Sequence, residues 1–234
     1  MKKINIFCLF LLLMLISSNI LGQFTRVGVT GGMNLSKARI TDGLFAEAYG
    51  SSDFSQVTGV NGGFLLEGSS NNIFVTDFGV ITSLKGFKDD SMQVNLTYIQ
   101  SNLVFKIRFQ IYGPVSLHVG FGPYAAIAFL GKEKDKTTNI SYEDVLGWTR
   151  KAPASYTEAD KLKPWYPLDL GMTFGGDIEV KLPNKNILLA GAYYELGLSK
   201  ISNEFPITEN SYRNPGVKIT NIAIKISYLF DIEK

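Results

Sequence analysis

The sequence predicts an all-β protein, an eight-stranded antiparallel up-and-down transmembrane β-barrel. Three observations lead to this fold. Apolar and polar residues alternate with a period of two in eight separate runs, the apolar faces of these runs carry no charged residue, and short connections alternate with long ones. Membrane barrels show this combination, with short turns on the periplasmic side and long loops outside.

An export signal precedes the barrel. Lys2 and Lys3 are followed by an apolar run from residue 6 to residue 16 and then by small and polar residues, which is the layout of a secretory signal peptide. The run is shorter than the roughly 20 residues that a membrane-spanning helix needs. We therefore expect a signal peptide over 1–22 and an outer-membrane β-barrel domain over 23–234.

Composition excludes several classes of function. The single cysteine, Cys8, lies in the predicted signal peptide, so residues 23–234 have no disulfide, thiol nucleophile or thiolate metal site. The chain has 23 basic and 21 acidic residues, and without Lys2 and Lys3 the two signs balance. A neutral domain lacks the basic surface on which nucleic-acid binding depends, so no nucleic-acid partner is expected.

The first four strands are predicted between residues 24 and 109. In FTRVGVTGGMNLS, apolar side chains such as Val27 and Val29 alternate with Arg26 and Thr30, so the glycines belong to a strand and not to a phosphate-binding turn. The next three runs are VTGVNGGFLLEGS (57–69), IFVTDFGVITSL (73–84) and TYIQSNLVFKIRF (97–109). In each of them one face is apolar and the other is polar.

The last four strands follow the same rule. They are VSLHVGFGPYAAIAF (115–129), PLDLGMTFGGDIEVKL (167–182), LLAGAYYELGLS (188–199) and KITNIAIKISYLF (218–230). The connections 69–72, 110–114 and 182–186 are short, those at 37–56, 131–165 and 200–216 are long, and 85–92 is intermediate. Ten strands remain open as an alternative, since 37–56 or 131–165 has room for another hairpin.

Charge on the two faces predicts which one meets lipid. The polar faces carry six basic and six acidic residues, and the apolar faces carry none. The apolar faces extend over lengths that suit a tilted spanning strand of about 9–11 residues. We therefore expect the polar face to fill the lumen as an ion-paired network. Its predicted members are Glu67, Asp77, Lys106, Arg108, Asp169, Asp177, Glu179, Glu195 and Lys225. A pore lined by the same charges is the competing interpretation.

No catalytic, cofactor or metal site is predicted. His118 is the only histidine, which excludes a histidine-based metal cluster, and its place on a polar face is typical of a hydrogen-bonded interior side chain. The pattern G-x-G-x-x-A at 120–125 lies inside a strand, where a dinucleotide site needs a helix N-terminus. A barrel enzyme that acts on lipid or peptide stays an alternative, with His118 as its test.

Aromatic residues of the 131–165 connection are candidates for recognition. Tyr142, Trp148 and Tyr156 lie in this longest loop, and long loops with aromatic side chains are common recognition surfaces. Trp165 and Tyr166 adjoin the sixth strand, so we expect them in the aromatic girdle at the membrane interface.

The stretches GVTGGMNLSK, TYIQSNLVFKIRF, VGFGPYAAI and AYYELGLSKI, together with the last strand, resemble the PorT-like outer-membrane β-barrel family of Bacteroidetes. The resemblance covers nearly all of residues 23–234 and carries no catalytic signature. It implies an integral outer-membrane protein, and for the namesake a link to secretion of proteins to the cell surface. Tyr228 and Phe230 are similar to the terminal aromatic signal read by the barrel assembly machinery, although four residues follow Phe230 here.

The sequence therefore predicts a non-enzymatic outer-membrane protein with a structural or interaction role. Its expected partners are outer-membrane lipid, the barrel assembly machinery and other envelope or secretion proteins, and no cofactor is expected. The alternatives are a small-solute channel, a barrel enzyme, and a soluble periplasmic barrel that binds an apolar ligand.

Overall fold

Eight long strands form the wall of the structure, a computed structural model that describes residues 24–42, 54–69, 73–143, 145–147, 165–203, 205–208, 211–213 and 216–232. The long strands are β1 (Phe24–Arg39), β2 (Ser55–Ser69), β3 (Phe74–Lys88), β4 (Met92–Tyr112), β5 (Val115–Asp135), β7 (Leu168–Lys181), β8 (Ile187–Gly197) and β11 (Lys218–Asp231). Three short strands are β6 (Ser141–Glu143), β9 (Phe205–Thr208) and β10 (Ser211–Arg213). The predicted signal peptide, Trp148 and Tyr156 lie outside the described residues.

The long strands close into a barrel in which neighbouring strands are antiparallel. Their order around the wall is β4-β3-β2-β1-β11-β8-β7-β5, and β5 pairs back with β4. At the seam between the first and last strands, Met33 faces Ile224 and Leu35 faces Ile222. The predicted eight-stranded antiparallel β-barrel is confirmed. No helix in the described part of the chain has both the length and the apolar character to cross a membrane.

In the described ranges, the short strands add no ninth or tenth strand to the barrel wall. β6 pairs with residues 132–134 of β5 only, and β9 and β10 pair with each other in a separate sheet. Eight strands therefore carry the wall, and the ten-strand alternative is wrong for this part of the chain.

The two ends of the barrel differ. One end is here called the turn end. It carries the turn at Gly113–Pro114, the turn at 182–186, the first residues of β1 and the last residues of β11. The opposite end is called the loop end. There the connection between β3 and β4 is shorter than the predicted 85–92, because Lys88 still pairs with Gln93. Asp89 Oδ1 accepts the backbone N–H of Met92 at 2.7 Å and closes this hairpin.

Close contact across the seam explains the glycine-rich start of β1. A Cβ atom on Gly32 would lie 1.9 Å from the carbonyl oxygen of Ile224 on β11, a distance that no side chain tolerates. A Cβ on Gly31 would have its nearest neighbour, the carbonyl oxygen of Asn61, 3.9 Å away. The first position requires glycine because the two backbones approach closely there, and the second does not.

The outside of the barrel is apolar and the inside is polar. Large apolar side chains on every long strand face outward, among them Val29, Phe64, Ile107, Phe121 and Ile226, which are 43–67% exposed. Buried polar and charged side chains occupy the alternate positions. This arrangement is that of a membrane barrel and the reverse of a soluble barrel with an apolar cavity.

The polarity of the two faces reverses near the loop end. β4 and β5 have 21 residues each, whereas a spanning strand needs about 9–11. On the upper part of β4 the inward side chains Val94 and Leu96 are apolar and fully buried, while Asn95 and Thr97 face outward. The reversal marks where the lipid ends. We call the part beyond it the loop-end extension: residues 37–42, 54–57, 86–97, 130–143, 145–147, 165–167, 199–203 and 216–220.

Candidate functional site in the barrel lumen

Ion-paired side chains fill the lumen next to the turn end. Arg26 Nη1 lies 2.5 Å from Glu67 Oε1, and Arg108 Nη2 lies 2.8 Å from Glu179 Oε2. Arg108 Nε also lies 3.0 Å from Nε2 of His118, and the same Nε2 lies 3.2 Å from Glu179 Oε2. Each carboxylate in this cluster therefore has a guanidinium partner, as buried charges require.

The same cluster has donor atoms at metal-ligand spacing. One ligand atom from each of Glu67, His118 and Glu179 lies within 4.8 Å of the other two. Arg108 stands among them, with Nη2 also 3.6 Å from Glu67 Oε1 and Nε 3.0 Å from His118 Nε2. A divalent cation would be repelled by this guanidinium. The residues present therefore fit an ion-pair cluster better than a metal centre.

A lysine bridge occupies the middle of the lumen. The ammonium of Lys106 bonds both Asp77 and Asp177, which come from strands on different sides of the barrel. Tyr193 donates its hydroxyl to Asp177, and its ring centroid lies 5.6 Å from Lys106 Nζ. The adjoining cavity measures about 40 Å³, which has room for only a few water molecules.

Glu195 organises the next layer. Its Oε2 lies 2.9 Å from Lys85 Nζ and accepts from Asn221 Nδ2 at 2.9 Å. Its Oε1 accepts from Gln100 Nε2 at 2.9 Å and lies 3.8 Å from Lys225 Nζ. Side chains from three strands, β3, β4 and β11, therefore converge on one fully enclosed carboxylate of β8, which holds their relative positions across the lumen.

Amide and aromatic side chains complete this layer. Asn34 donates to Ser83 Oγ at 2.8 Å and accepts from Asn61 Nδ2 at 2.8 Å. Tyr124 donates to Asp169 Oδ2 at 3.0 Å, and its ring centroid lies 4.8 Å from the Lys85 ammonium. The polar network thus passes from residue to residue around the wall as well as across it.

An apolar lid covers the network at the loop end. The Trp165 and Phe87 rings meet edge to face with centroids 5.1 Å apart, and Val94, Leu96 and Ile201 are fully buried beside them. Trp165 Nε1 donates to Glu133 Oε2 at 3.0 Å. The lid excludes water from the charged layers beneath it, which strengthens their electrostatic interactions.

The structure brings the nine predicted lumen residues together. Eight of them are buried and Lys225 is half-buried: Glu67, Asp77, Lys106, Arg108, Asp169, Asp177, Glu179, Glu195 and Lys225. Tyr142 is 45% exposed on β6, which belongs to the loop-end extension and not to the lumen. Tyr228 and Phe230 lie near the turn end of β11, where their ring centroids are 4.9 Å apart.

The prediction for Trp165 is wrong. The sequence predicts Trp165 in the aromatic girdle at the membrane interface, but it is only 3% exposed and lies in the lid. The reason is that residue 165 bridges to Leu146 and Ser202 above the end of β7, in the region where inward positions are apolar. A period-two pattern that starts at residue 167 says nothing about the face on which residue 165 lies.

Several lumen residues were not among the predicted network. They are Arg26, Asn34, Lys85, Gln100, Tyr124 and Tyr193. Asn34 is linked to Glu195 through Asn221, and the other five contact predicted members directly. Period-two alternation places every one on the polar face, so the signal was present in the sequence. Arg26 and Lys85 are charged residues of the polar faces, whereas Asn34, Gln100, Tyr124 and Tyr193 are neutral, so charge does not mark them as network members.

Among solved structures, the chain is similar to three outer-membrane proteins at low sequence identity. Ail, the attachment invasion locus protein of Yersinia pestis, is 14% identical, with 88% of this chain and 99% of that chain covered and a TM-score of 0.43. Neisserial surface protein A is 13% identical, with 88% and 97% covered and a TM-score of 0.45. OprG from Pseudomonas aeruginosa is 8% identical, with 89% and 97% covered and a TM-score of 0.42.

None of the curated proteins matches the chain. The family model described as outer membrane protein beta-barrel domain matches residues 21–203, well over half of the sequence. The closed barrel, its apolar outer wall and its charged lumen agree with that match. The chain belongs to the outer membrane protein beta-barrel domain family and is a protein of the outer membrane.

Proposed function

We propose that this outer-membrane protein is a closed, non-conducting barrel with a structural and interaction role in the cell envelope, and that it catalyses no reaction. The filled lumen carries the proposal. Bonded side chains occupy it from Arg26 at the turn end to Trp165 at the loop end, and the cavity beside Lys106 is about 40 Å³. A wider recess of about 390 Å³ lies at the turn end, beside Arg108 and Gln110. The wall then serves as a rigid anchor for the loop-end extension, with the loops outside and the turns in the periplasm.

Conductance tests this proposal against the small-solute channel. The purified protein would be reconstituted into planar lipid bilayers, with incorporation measured independently on vesicles from the same preparation. We expect no stepwise conductance, because the Lys106 bridge and the Trp165 lid both cross the lumen. Regular unitary steps that scale with the amount of incorporated protein would favour the channel.

The surroundings of His118 support a non-enzymatic role. Its side chain is fully buried, and Arg108 and Glu179 occupy its Nε2 side. A substrate would have to displace an ion pair to reach it. Lipase and peptidase assays on the folded protein and on a His118→Gln variant test this. Activity that disappears in the variant while the barrel stays folded would establish the barrel enzyme instead.

The interaction role is assigned to the loop-end extension. Ile140 and Tyr142 on the β5–β6 hairpin are 50% and 45% exposed, an apolar tip held on a 21-residue strand. Aromatic and apolar side chains at a protruding tip suit contact with another protein. The resemblance to the PorT-like family supports a finer form of the role, in which the partners are envelope or secretion proteins and the barrel assists delivery to the surface.

Site-directed photo-crosslinking tests the interaction role. A photoreactive residue would replace Tyr142, and a second variant would carry it at Lys185 in a turn at the opposite end. We expect defined crosslinks from position 142 to an envelope or secreted protein in the host. Loss of the protein should also reduce the amount of surface-delivered protein, and a Tyr142→Ser copy should not restore it. Unaltered secretion would rule out assistance in surface delivery and would leave the role of the barrel as an anchor for the loop-end extension.

Assembly into the membrane is assigned to Tyr228 and Phe230. Both lie on the last strand, and Asn186 Nδ2 donates to the Tyr228 hydroxyl at 2.7 Å. Because this hydrogen bond makes Tyr228 part of the folded wall, replacement of Phe230 by alanine separates recognition from folding more cleanly. We expect Phe230→Ala to lower the amount of assembled barrel in cells and to leave refolding from urea into detergent unchanged.

A further inference from the structure

Four basic side chains form a patch on the outer wall at the seam. Lys37 and Arg39 lie on β1, Lys218 lies on β11, and Lys200 follows β8. Lys37, Arg39 and Lys200 are exposed and Lys218 is half-buried. Lys200 belongs to the patch because its Nζ lies 3.5 Å from the point where a Cβ on Gly216 would stand, two residues before Lys218.

The patch lies directly beyond the apolar wall. Along the seam, Met33 faces Ile224 and Leu35 faces Ile222, and both pairs point toward lipid. The next two outward pairs are Lys37 with Thr220 and Arg39 with Lys218. Outward positions on one strand are about 7 Å apart. The cations therefore stand within roughly 7–14 Å of the last apolar pair, which is the depth of lipid headgroups.

Charge repulsion within the patch calls for an anion. Arg39 and Lys218 are direct cross-strand partners, and like charges in that relation destabilise a sheet. Lys37 is two residues along the same face and adds a third positive charge. Within the described ranges no carboxylate lies within ion-pair distance of Lys37, Arg39, Lys200 or Lys218.

The other end of the same seam has a different chemistry. There the outward positions are Val27 opposite Phe230 and Val29 opposite Tyr228. Two charged residues, Arg26 and Asp231, are cross-strand partners at that end, and Arg26 turns into the lumen and pairs with Glu67. Aromatic side chains border the lipid at the turn end, and cations border it at the loop end.

We propose that this seam patch binds the phosphate groups of an anionic lipid in the leaflet at the loop end. The acyl chains of that lipid lie along the apolar pairs of Leu35 and Met33, and its phosphate accepts hydrogen bonds from Arg39, Lys218 and Lys200. Guanidinium and ammonium groups at headgroup level attract anionic lipid in this way. The inference goes beyond the proposed function, since it concerns the outer wall and holds whether or not the lumen conducts.

Lipid binding to the detergent-solubilised full chain tests the proposal. Native mass spectrometry would measure the apparent affinity for lipid A with its phosphates and for the same lipid after enzymatic dephosphorylation. The test variant is Arg39→Gln with Lys218→Gln. The matched control is Lys181→Gln with Lys185→Gln, which removes the same charge at the turn end. Each variant is first shown to be folded by its heat-dependent gel mobility.

We expect the seam variant to bind phosphorylated lipid at least about tenfold more weakly, while the control matches the unaltered protein. If the double variant does not fold, Lys218→Gln alone should give a smaller loss in the same direction. Equal affinity in the seam variant, or equal retention of the dephosphorylated lipid, would overturn the proposal. Binding of inorganic phosphate at the patch without any preference for the lipid would also overturn it, because the site would then serve a free anion.

Discussion

Gln100 on β4 donates to Glu195 on β8 at 2.9 Å, so two strands that are not neighbours in the wall are joined across the lumen. The same carboxylate receives Lys85 from β3 and Asn221 from β11. A barrel wall fixes each strand only relative to its two neighbours. Contacts through the centre add a second constraint, on strands that the wall leaves independent.

Glu195→Gln should destabilise the barrel strongly. The substitution leaves the fully buried Lys85 without its carboxylate, and breaking a buried pair in this way costs about 3–5 kcal/mol. The matched control is Glu143→Gln, which breaks an ion pair of 2.7 Å with Lys132 whose side chains are 63% and 72% exposed. That change should leave the thermal stability nearly unaltered, because solvent screens an exposed ion pair. The temperature at which the folded band disappears from unboiled gel samples measures both.

A compensated variant separates lost charge balance from lost shape. Adding Lys85→Met to Glu195→Gln removes the uncompensated charge and should restore much of the thermal stability. If the double variant is no more stable than Glu195→Gln, the ion pair is not the source of the effect.

Trp165 fluorescence should report the protonation of Glu133. Both residues lie in the loop-end extension, outside the lipid. Burial raises the pKa of Glu133 above 4.5, and the hydrogen bond from the Trp165 indole partly offsets this. Stability contributed by this group is therefore fully present below pH 4.5 and is lost as the pH rises through the raised pKa. The chain has two tryptophans, so Trp148→Phe leaves Trp165 as the only emitter.

In that background the emission of Trp165 should change with a midpoint above pH 4.5. Glu133→Gln keeps a carbonyl oxygen as hydrogen-bond acceptor and removes the titration, so the change should disappear. A transition that persists in Glu133→Gln would show that another titrating group causes the change in Trp165 emission.

Gly32→Ala should impair assembly, and Gly31→Ala should not. The added methyl group would lie 1.9 Å from the Ile224 carbonyl oxygen in the first case and 3.9 Å from its nearest neighbour in the second. The seam pairs the first strand with the last, so a clash there opposes closure of the barrel. The fraction that acquires heat-dependent mobility during refolding compares the two. Equal yields would contradict the close approach at the seam.

Fluorophores on β4 should locate the edge of the lipid. The only cysteine of the chain, Cys8, precedes the barrel, so residues 23–234 offer a background free of cysteine. A label at Ile99→Cys should be quenched by brominated lipid chains, and a label at Asn95→Cys, four residues further, should not. Quenching at both positions would place the lipid edge beyond the reversal of the two faces.

Period-two alternation predicted the barrel and its lumen well because it depends on one physical requirement. Inward positions such as Asp77 and Lys106 need partners of opposite charge, and outward positions such as Ile107 need lipid. Each requirement applies locally, so single strands reveal it. Which carboxylate meets which lysine depends on strand order and stagger, and alternation contains neither.

Trp165 shows where the pattern stops being informative. Beyond the lipid, inward positions become apolar and outward positions become polar. An aromatic residue next to a strand there is no longer expected to lie at the membrane interface. Local sequence does not mark the height at which this exchange happens. The lengths of β4 and β5 fix it, since β5 continues through Lys132 to Asp135.

The exchange of faces along one strand has a consequence for sequence variation. At an inward position such as Gln100, we expect polar replacements to preserve the fold and leucine to disrupt it. Four residues earlier, at the inward position Leu96, we expect apolar replacements to preserve the fold and polar ones to disrupt it. A substitution table built for membrane strands would misjudge the outer third of β4, and one built for soluble proteins would misjudge the rest. The substitutions that this protein tolerates should therefore depend more on height along the barrel axis than on the strand in which they occur.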